Sequence, residues 1–505
     1  MKNKKDKEII IYYTNDMHGR LSTHDEDELS IGIDKISKIV NLTLLKNRNT
    51  FWFDAGDFSH GTPRMTLSSL DNLVDTLNST HLNAIVTGNH DYNLAMEHLY
   101  ELSKRLNAFI LSANTVDRET RYPVLLPYTV YSVDLDQNDF ISKTGNSNDS
   151  RLDNIKIGVF GLSTPETAYK TNPNNVKEVE FLNPIETAKN MVKLLRNSCD
   201  IVIALTHLGL DDSSEFTSRR LAEEVTGMDL IIDGHSHTEL PEGLLVNDTL
   251  IVQTGAHGKY LGKAVITLDN KTIEKIKTVL IKEEQVNEYI KNPDIYIEDK
   301  LNAIDKETES QLSKVIAYID RELSGDRLAL RRKECELGDI VADAFRWRTR
   351  ADIAVVNGGT LRTGLPKGDI TYGNIISIVP FGNSIQVAEV KGSTIREMLE
   401  HSVSGYPESF GGFLDISGMK FSFVPDSPIG NRIRDIEIKG EPIDEDKIYT
   451  ICSLDFLFVG GDDYTMLKDL KIIGDFGKCE DIIVDYLNNH DIEKVDLGRI
   501  IVLNS

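Results

Sequence analysis

Five short motifs in the first half of the chain carry seven side chains with oxygen or nitrogen donor atoms and no thiolate. The donors are Asp16 and His18 in YTNDMHGR, Asp57 in DAGDFSHG, Asn89 in GNHDYN, His207 in ALTHLG, and His235 and His237 in DGHSHT. Carboxylate, imidazole and amide ligands suit zinc, manganese, cobalt or iron, and they leave the choice among these metals open. Two adjacent divalent ions require a donor set of this kind, so the sequence predicts a two-metal hydrolase.

Most of these motifs directly follow a short apolar run. The runs are EIIIYY, FWF, NAIV, DIVIAL and DLII. Such runs are typical of buried strands, and donors at the carboxyl ends of neighbouring strands converge on one rim of a sheet. The elements that must position the donors are therefore strands, and the alternation of strands with helical stretches such as IGIDKISKIVNLTLL favours an α/β protein.

Asp57 is the candidate ligand shared by both ions. Two dications roughly 3.5–4 Å apart repel each other unless negative charge lies between them. Asp57 is the acidic residue of the DAGD turn that lies beyond the strand end. We expect the other carboxylate of that turn, Asp54, to hold the turn together.

Each donor also has an ordinary structural interpretation when it is taken singly. Asp16 and His18 could be loop residues, and Asn89 beside Gly88 could belong to an ordinary turn. His207 could be a satisfied core histidine, and the two histidines of DGHSHT could lie on the surface at a strand end. Five such motifs in this order, each at the end of an apolar run, favour the metal site.

The motif series D-x-H, G-D, G-N-H-[DE], H and G-H-x-H resembles that of the calcineurin-like metallophosphoesterases. The second half narrows the resemblance to the bacterial and animal 5'-nucleotidase family, which includes UDP-sugar hydrolase. That narrowing rests on three segments: RRKECELGDIVADA, VVNGGTLRTGLPKGDITYGNIISIVPFGNSI and FLFVGGDDY. The resemblance covers nearly the whole chain. It implies a four-layer αββα metallophosphoesterase domain, a linking helix and a smaller α/β substrate-binding domain.

The resemblance implies a role for each motif residue. The first metal would be bound by Asp16, His18, Asp57 and His237, and the second by Asp57, Asn89, His207 and His235. The catalytic residues would be His90, which stabilises the transition state beside the phosphoryl group, and Asn93, its partner. The substrate-binding residues would be Arg331, Asn357, Arg362, Phe381, Asn383, Phe456 and Asp462.

The two phenylalanines would sandwich the base, since every base offers a π face to an aromatic ring. Asp462 would accept hydrogen bonds from the ribose hydroxyls. Three positions depart from the family pattern: Asn93 replaces an acidic residue, Asp463 replaces a glycine, and one basic position is occupied by Lys333. Lysine is a weaker bidentate clamp for phosphate than arginine, so Arg331 and Arg362 rank above Lys333.

The resemblance implies hydrolysis of nucleoside 5'-monophosphates to nucleoside and phosphate, by in-line attack of a metal-bound hydroxide. Alternative substrates for the same site are 2',3'-cyclic nucleotides, UDP-sugars and dinucleotides. Asn93 favours the first of these, because asparagine also occurs at this position in related cyclic phosphodiesterases. A non-catalytic nucleotide-binding protein is a further alternative. It predicts a missing metal ligand, whereas every ligand position of this chain is filled.

Composition limits the partners. The 505 residues suggest two or more domains, and a formal charge of -24 argues against a nucleic-acid polymer as partner. The four cysteines include no C-x-x-C pair. MKNKKDKE passes directly into the first apolar run without a signal peptide, and no segment has membrane-spanning length. We therefore expect a cytoplasmic enzyme, monomeric or homodimeric, without a membrane partner.

The chain divides into three predicted regions. Residues 1–284 form the metallophosphoesterase domain, 285–324 a glycine-poor linker helix, and 325–505 the nucleotide-binding domain. The polar segment 136–154 is predicted to be a surface loop.

Overall fold

A computed structural model describes residues 7–22, 30–58, 60–134, 154–212, 214–269, 271–490, 492 and 497–503. The chain divides into two compact units. Unit 1 comprises Met1–His60, Leu67–Ala168 and Asn175–Glu307, and unit 2 comprises Gly61–Thr66, Tyr169–Asn174 and Thr308–Ser505. The predicted surface loop at 136–154 lies outside the described residues except for Asn154, which begins a strand.

The first part of the chain alternates strands and helices. Its strands are β1 (Lys7–Thr14), β2 (Thr50–Asp54), β3 (Ala84–Val86), β4 (Phe109–Leu111), β5 (Thr115–Asp117), β6 (Tyr128–Asp134), β7 (Asn154–Ser163), β8 (Val179–Phe181), β9 (Ile201–His207), β10 (Leu230–Ile232), β11 (Leu244–Val246), β12 (Thr249–Val252), β13 (Tyr260–Asp269) and β14 (Thr272–Lys282). Its helices are α1 (Ile33–Leu44), α2 (Pro63–Leu67), α3 (Leu70–Asn78), α4 (Ala95–Arg105), α5 (Thr167–Lys170), α6 (Pro184–Leu195), α7 (Ser218–Glu224), α8 (Glu283–Tyr289) and α9 (Ile295–Leu312).

Unit 1 contains two six-stranded sheets. The first has the order β14-β13-β1-β2-β3-β4, and the second has the order β11-β12-β10-β9-β7-β6. The neighbouring strands from β1 to β4 are parallel, as are β7, β9, β10 and β12. The apolar runs predicted to be strands are β1, β2, β3, β9 and β10, so this prediction is confirmed.

The alternation of side chains along β1 explains the layers of unit 1. Ile9, Ile11 and Tyr13 belong to a buried cluster that also contains Ile157 and Ile203 of the second sheet, so the two sheets pack face to face. On the opposite face of β1, the hydroxyl of Tyr12 lies 3.0 Å from the Thr43 hydroxyl of α1. Helices α6 and α7 cover the outer face of the second sheet through a separate apolar cluster. Unit 1 therefore has the predicted αββα layers.

Unit 2 contains a five-stranded and a four-stranded sheet, ordered β19-β16-β23-β18-β24 and β22-β21-β20-β25. Its strands are β15 (Val315–Ile319), β16 (Ile353–Asn357), β17 (Gly368–Thr371), β18 (Ser384–Lys391), β19 (Leu414–Ser417), β20 (Met419–Phe423), β21 (Ile433–Ile438), β22 (Glu441–Pro442), β23 (Ile448–Leu454), β24 (Lys471–Lys478) and β25 (Ile500–Val502). Its helices are α10 (Arg327–Leu330), α11 (Glu336–Thr349), α12 (Tyr372–Ile378), α13 (Gly392–Ser402), α14 (Asp455–Phe458) and α15 (Cys479–Asn489). One apolar core joins these strands and helices.

The segment predicted to be a single linker helix, 285–324, differs in the structure. It contains most of α8, all of α9 and the strand β15. Pro293 separates the two helices, because proline lacks a backbone N–H and disfavours helical conformation in the residue before it. The alternating, β-branched sequence of β15 pairs with β17 instead of continuing α9. The prediction of one continuous helix is therefore wrong, while the three domain boundaries stay predictions.

Candidate functional site

Backbone hydrogen bonds join the loop after β1 to the loop after β2. The backbone N–H of Asp16 donates to the carbonyl of Gly56 at 2.9 Å, and that of His18 donates to the carbonyl of Asp57 at 2.8 Å. Asp16, His18 and Asp57 all have left-handed backbone conformation, with φ of 49°, 49° and 53°. Such conformations are uncommon for residues other than glycine, and they turn these side chains toward one another.

Asp54 holds the turn that carries Asp57, as predicted. One carboxylate oxygen of Asp54 accepts a 2.9 Å hydrogen bond from the backbone N–H of Gly56, and the other accepts a 2.6 Å bond from the Thr14 hydroxyl. Asp54 thereby ties the end of β1 to the end of β2. Its carboxylate is used for structure, which leaves Asp57 as the acidic residue of the turn that faces the other donors.

One group of donors is formed by Asp16, His18 and His237. The Nε2 atoms of His18 and His237 lie 3.1 Å apart. Asp16 Oδ1 lies 3.3 Å from Nε2 of His237 and 3.8 Å from Nε2 of His18. Ligand atoms bound to one ion at about 2.0–2.2 Å are separated from one another by roughly 3 to 3.5 Å, so these three side chains could hold one metal ion.

A second group is formed by Asp16, Asp57 and His207, whose donor atoms are close enough to hold an ion. Nε2 of His207 lies 3.2 Å from Oδ2 of Asp57 and 4.0 Å from Oδ1 of Asp16. The Nδ1–H of His207 donates to the carbonyl of Ala55 at 2.6 Å. This bond fixes the tautomer of His207 and leaves Nε2 as its donor atom toward the carboxylates.

His235 lies beside His207, with their ring centroids 5.1 Å apart. The backbone N–H of His235 donates to Oδ2 of Asp16 at 2.9 Å, and its ring Nε2 lies 3.1 Å from Oε2 of Glu166. With Nε2 oriented by this carboxylate, Nδ1 of His235 is the nitrogen left to bind a metal ion.

Three buried atoms of the predicted metal ligands form no hydrogen bond with any of the described residues: Asp16 Oδ1, Asn89 Oδ1 and His207 Nε2. Buried polar atoms are nearly always paired, and each unpaired carboxylate or imidazole atom costs free energy. Hard and borderline cations take such oxygen and nitrogen ligands. The unpaired atoms and the donor types therefore fit bound divalent cations.

The buried carboxylates and imidazoles of this group shift one another's pKa values. Burial alone would raise the pKa of Asp57, but the neighbouring His207 and His90 hold it well below its usual range. Burial lowers the pKa of His207, yet Asp57 and Asp16 outweigh this effect and raise it to about 10. A divalent cation would take the place of the proton that the carboxylates attract.

Two glycines allow the loops to approach this closely. A Cβ atom at Gly88 would lie 2.2 Å from Oδ1 of Asp57. A Cβ atom at Gly234 would lie 2.7 Å from the carbonyl oxygen of Ala55 and 2.8 Å from Nδ1 of His207. These glycines precede the donors Asn89 and His235, so any larger residue would displace the donor group.

His90 and Asn93 lie at the same site. The backbone N–H of His90 donates to Oδ1 of Asp57 at 2.7 Å, and the His90 ring lies 5.2 Å from that of His18, centroid to centroid. Nδ2 of Asn93 lies 3.0 Å from Nδ1 of His90 and 3.1 Å from Nδ1 of His60. Asn93 therefore contacts the histidine that it was predicted to accompany.

In unit 2, Asn357 and Asp462 are brought together. Nδ2 of Asn357 donates to Oδ2 of Asp462 at 2.7 Å. Burial raises the pKa of Asp462, although Asn357, Lys170 and Arg331 each oppose this shift. Asp462 has a φ of 49°, and Asp463 a φ of 62°. Glycine adopts such positive φ values readily, which explains why relatives can carry glycine where this chain has Asp463.

The remaining predicted substrate residues of unit 2 lie on loops and short helices. The guanidinium of Arg362 lies over the ring of Phe381, 5.7 Å from its centroid, and Phe381 is half-buried. Phe456 is buried against Gly461, where a Cβ atom would lie 2.4 Å from its ring. Asn383 is buried, and its backbone carbonyl accepts a hydrogen bond from the backbone N–H of Cys479. The base sandwich itself stays a prediction.

Several residues of the site were not among those predicted from the sequence. His257 lies with His18 and His237 in a group of imidazoles that could hold a metal ion. Glu166 orients His235, and Asp91 accepts hydrogen bonds from three backbone N–H groups of the loops after β2 and β3. His60 is part of the DAGDFSHG motif, so its imidazole was a visible signal. Glu166 follows β7, a strand that preceded none of the predicted donors.

The two-sheet unit with carboxylate, amide and imidazole donors at its strand ends defines a metallophosphoesterase. Residues 9–239 match the calcineurin-like phosphoesterase family, and residues 315–469 match the 5'-nucleotidase C-terminal domain. These two matches, together with relatives named 5'-nucleotidase that align along nearly the whole chain, show that the chain belongs to the 5'-nucleotidase family. It is an enzyme of the phosphoric ester hydrolase class, and its family implies divalent metal ions.

Known proteins resemble the chain over nearly its full length. It is 28% identical to the 5'-nucleotidase of Diplobatis ommata over 94% of this chain and 86% of that protein. It is 28% identical to the trifunctional nucleotide phosphoesterase protein YfkN of Bacillus subtilis over 93% of this chain, but it spans only 33% of that protein. The crystal structure of a 5'-nucleotidase precursor from Thermus thermophilus has a TM-score of 0.80 and 28% identity, covering 99% of this chain and all of that one. Among the described residues, no helix has the length and apolar content that crossing a membrane requires.

Proposed function

We propose that the enzyme hydrolyses nucleoside 5'-monophosphates to nucleoside and phosphate with two divalent metal ions. The observation that carries this proposal is the group of unpaired buried donors, Asp16 Oδ1, Asn89 Oδ1 and His207 Nε2, within a nucleotidase-type fold. The nucleotidases among its relatives support the choice of substrate class.

The two ions would be bound by the sets predicted from the sequence. Asp16, His18, Asp57 and His237 would hold the first, and Asp57, Asn89, His207 and His235 would hold the second. When bound, two such ions lower the pKa of water and offset the negative charge of a phosphoryl group. The protein buries most of these ligands away from water. Backbone hydrogen bonds between the loops after β1 and β2 hold Asp16, His18 and Asp57 close to one another.

His90 would stabilise the phosphoryl group as it is transferred. Its Nδ1 faces the Asn93 amide, so Nε2 is the nitrogen that can donate a hydrogen bond to a phosphoryl oxygen. The bond from its backbone N–H to Asp57 keeps the ring next to the donor group. His90 thus supplies a donor beside the site where charge develops.

In unit 2, Asp462 is the proposed acceptor for ribose hydroxyls. One oxygen of its carboxylate accepts a hydrogen bond from Asn357, and the other would accept one from a ligand hydroxyl. Arg331 and Arg362 would bind the phosphate, Asn383 the base edge, and Phe381 and Phe456 the base faces. Specificity for the nucleoside would therefore depend on unit 2.

A second candidate function is hydrolysis of 2',3'-cyclic nucleotides. Asn93 is the observation that favours it. Nucleotidases commonly have an acidic partner for the catalytic histidine, whereas related cyclic phosphodiesterases can have asparagine at this position. UDP-sugars and dinucleotides are further candidate substrates for the same site, and the relative from Bacillus subtilis is described as trifunctional toward nucleotide phosphoesters.

A substrate panel separates these functions. The chelator-treated chain is reloaded with manganese, cobalt or zinc and is assayed with AMP, UMP, 2',3'-cyclic AMP and a UDP-sugar, with products separated by chromatography. We expect kcat/KM to be highest for a monophosphate and to fall to background with chelator. A higher kcat/KM for the cyclic substrate would favour the second function, and no turnover with any metal would refute both.

A further inference from the structure

Three polar side chains form a continuous bridge beside the donor group. Nδ2 of Asn93 lies 3.1 Å from Nδ1 of His60 and 3.0 Å from Nδ1 of His90. His60 is only 4% exposed, so its ring is held inside the protein. The order of contacts is thus His60, Asn93, His90, with the amide in the middle.

The chemistry of the amide determines where the protons lie. An amide nitrogen has two hydrogens to donate and accepts none, so each Nδ1 that faces it must be an acceptor. Each neutral imidazole then carries its own proton on Nε2. His90 is thereby prepared to donate from Nε2 while it is neutral. The reversed amide would require both rings to carry Nδ1–H, and neutral His90 would then present only a lone pair at Nε2.

The backbone around Asn93 is already held by other groups. Nδ2 of Asn175 donates to the carbonyl of Asn93 at 2.8 Å and to that of Tyr92 at 3.2 Å. The N–H of His90 is bound by Asp57. These bonds fix the loop, but they do not choose between the two orientations of the Asn93 amide. His60 gives the second amide hydrogen an acceptor.

We propose that His60 is a positioning residue for phosphoryl transfer, acting through Asn93 on the orientation and tautomer of His90. The inference rests on the proposed function, in which Nε2 of His90 donates to the phosphoryl group. In this chain, the amide and a second imidazole together replace the single acidic partner that is common in nucleotidases. Neither His60 nor Asn93 touches the substrate in this proposal.

The first test compares His60→Ala, His60→Gln and Asn93→Ala in the metal-loaded full chain with AMP as substrate. We expect His60→Ala to lower kcat by roughly five- to tenfold, the equivalent of one hydrogen bond, with KM changed less than about twofold. His60→Gln should recover most of the rate, because its side-chain carbonyl can accept from the Asn93 amide. His81→Ala, at an exposed position, is the matched control.

A double-mutant cycle tests the route through Asn93. If His60 acts through Asn93, then His60→Ala should have almost no further effect on kcat in the Asn93→Ala background. Additive effects of the two substitutions would overturn the proposal, as would an unchanged kcat in His60→Ala. Loss of bound metal from His60→Ala, measured by elemental analysis, would instead assign His60 to the metal site and also overturn it.

The second test does not depend on turnover. Nitrogen NMR of the full chain with labelled histidine, loaded with zinc, reports which ring nitrogen of His90 carries the proton. We expect Nδ1 of His90 to be unprotonated in the wild type and in His60→Gln, and a mixture of tautomers in His60→Ala. A protonated Nδ1 in the wild type would refute the bridge. If wild type hydrolyses no nucleotide, the proposed function fails while this measurement still decides the bridge.

Discussion

Asp57 accepts a 2.7 Å hydrogen bond from the backbone N–H of His90 at one carboxylate oxygen, while its other oxygen faces Nε2 of His207 at 3.2 Å. The same carboxylate thus connects the loops after β2 and β3 with the last residue of β9. It is also the ligand that both metal sets have in common in the proposed arrangement. Removing it therefore affects the metal ions and the position of His90 together.

We predict that Asp57→Ala loses both metal content and phosphate release. Without the shared carboxylate, two dications would repel each other, and His207 would lose the nearer of its two carboxylate neighbours. Elemental analysis after dialysis and an AMP assay measure the two effects. Asp248→Ala removes an exposed carboxylate and serves as control. Full activity of a metal-free Asp57→Ala protein would refute the metal proposal.

His90→Ala should separate catalysis from metal binding. His90 is not in either proposed ligand set, so the variant should bind metal as the wild type does. We expect kcat to fall by roughly 10² or more, because a donor beside the developing charge is lost. The measurement is kcat for AMP together with metal content. A variant that lost metal in proportion to its rate would assign His90 to the ligand set instead.

Asp462→Asn should weaken binding of the nucleoside without affecting the chemistry. Asparagine tolerates the left-handed backbone found at this position, but it lacks the charge that strengthens hydrogen bonds from hydroxyls. We expect KM for AMP to rise by about tenfold, and hydrolysis of p-nitrophenyl phosphate, which has no ribose, to stay unchanged. The neighbouring Asp463→Asn is the matched control. Equal losses on both substrates would show that Asp462 supports the fold rather than the nucleoside.

Strands and metal donors could be predicted from the sequence because both leave local signals. The runs before Asp16, Asn89 and His207 are apolar and short, and each of these donors lies at or just beyond the end of its strand. Parallel pairing then brings residues far apart in sequence to one rim. The donors could therefore be named before their distances were known.

Residues that act on another side chain left no such signal. Glu166 is recognisable only through its 3.1 Å contact with His235, which is 69 positions away in the chain. His60 lies in the DAGDFSHG motif, but its role is recognisable only because Asn93 lies between it and His90. The break at Pro293 was a local signal that the charged, helical pattern around it obscured. Cellular location and oligomeric state stay predictions.

A buried carboxyl pair in unit 2 predicts how stability depends on pH. Asp415 and Asp339 are fully buried, and Asp415 accepts a 3.0 Å hydrogen bond from the backbone N–H of Cys335. Burial raises the pKa of Asp415 to about 8, and it raises that of Asp339 to about 9 although Arg499 lies 3.4 Å away. Both groups are therefore protonated in the folded protein at neutral pH.

Whether stability rises or falls with pH depends on which state, folded or unfolded, binds more protons. An unfolded aspartate has its ordinary pKa near 3.9, so between about pH 4 and pH 8 the folded state binds more protons than the unfolded state. The stabilisation from Asp415 is present in full below this window. It decreases by at most about 1.4 kcal/mol per pH unit as the pH rises through it, and it is lost above the folded pKa.

Asp415→Asn should remove this dependence, because an amide resembles the protonated acid and does not titrate. We expect the difference in unfolding free energy between pH 6 and pH 8 to be smaller in Asp415→Asn than in the wild type, as measured by urea unfolding. Asp469→Asn, at an exposed position, should keep the wild-type difference. An equal difference in the wild type and Asp415→Asn would mean that Asp415 is already ionised in the folded protein at pH 6.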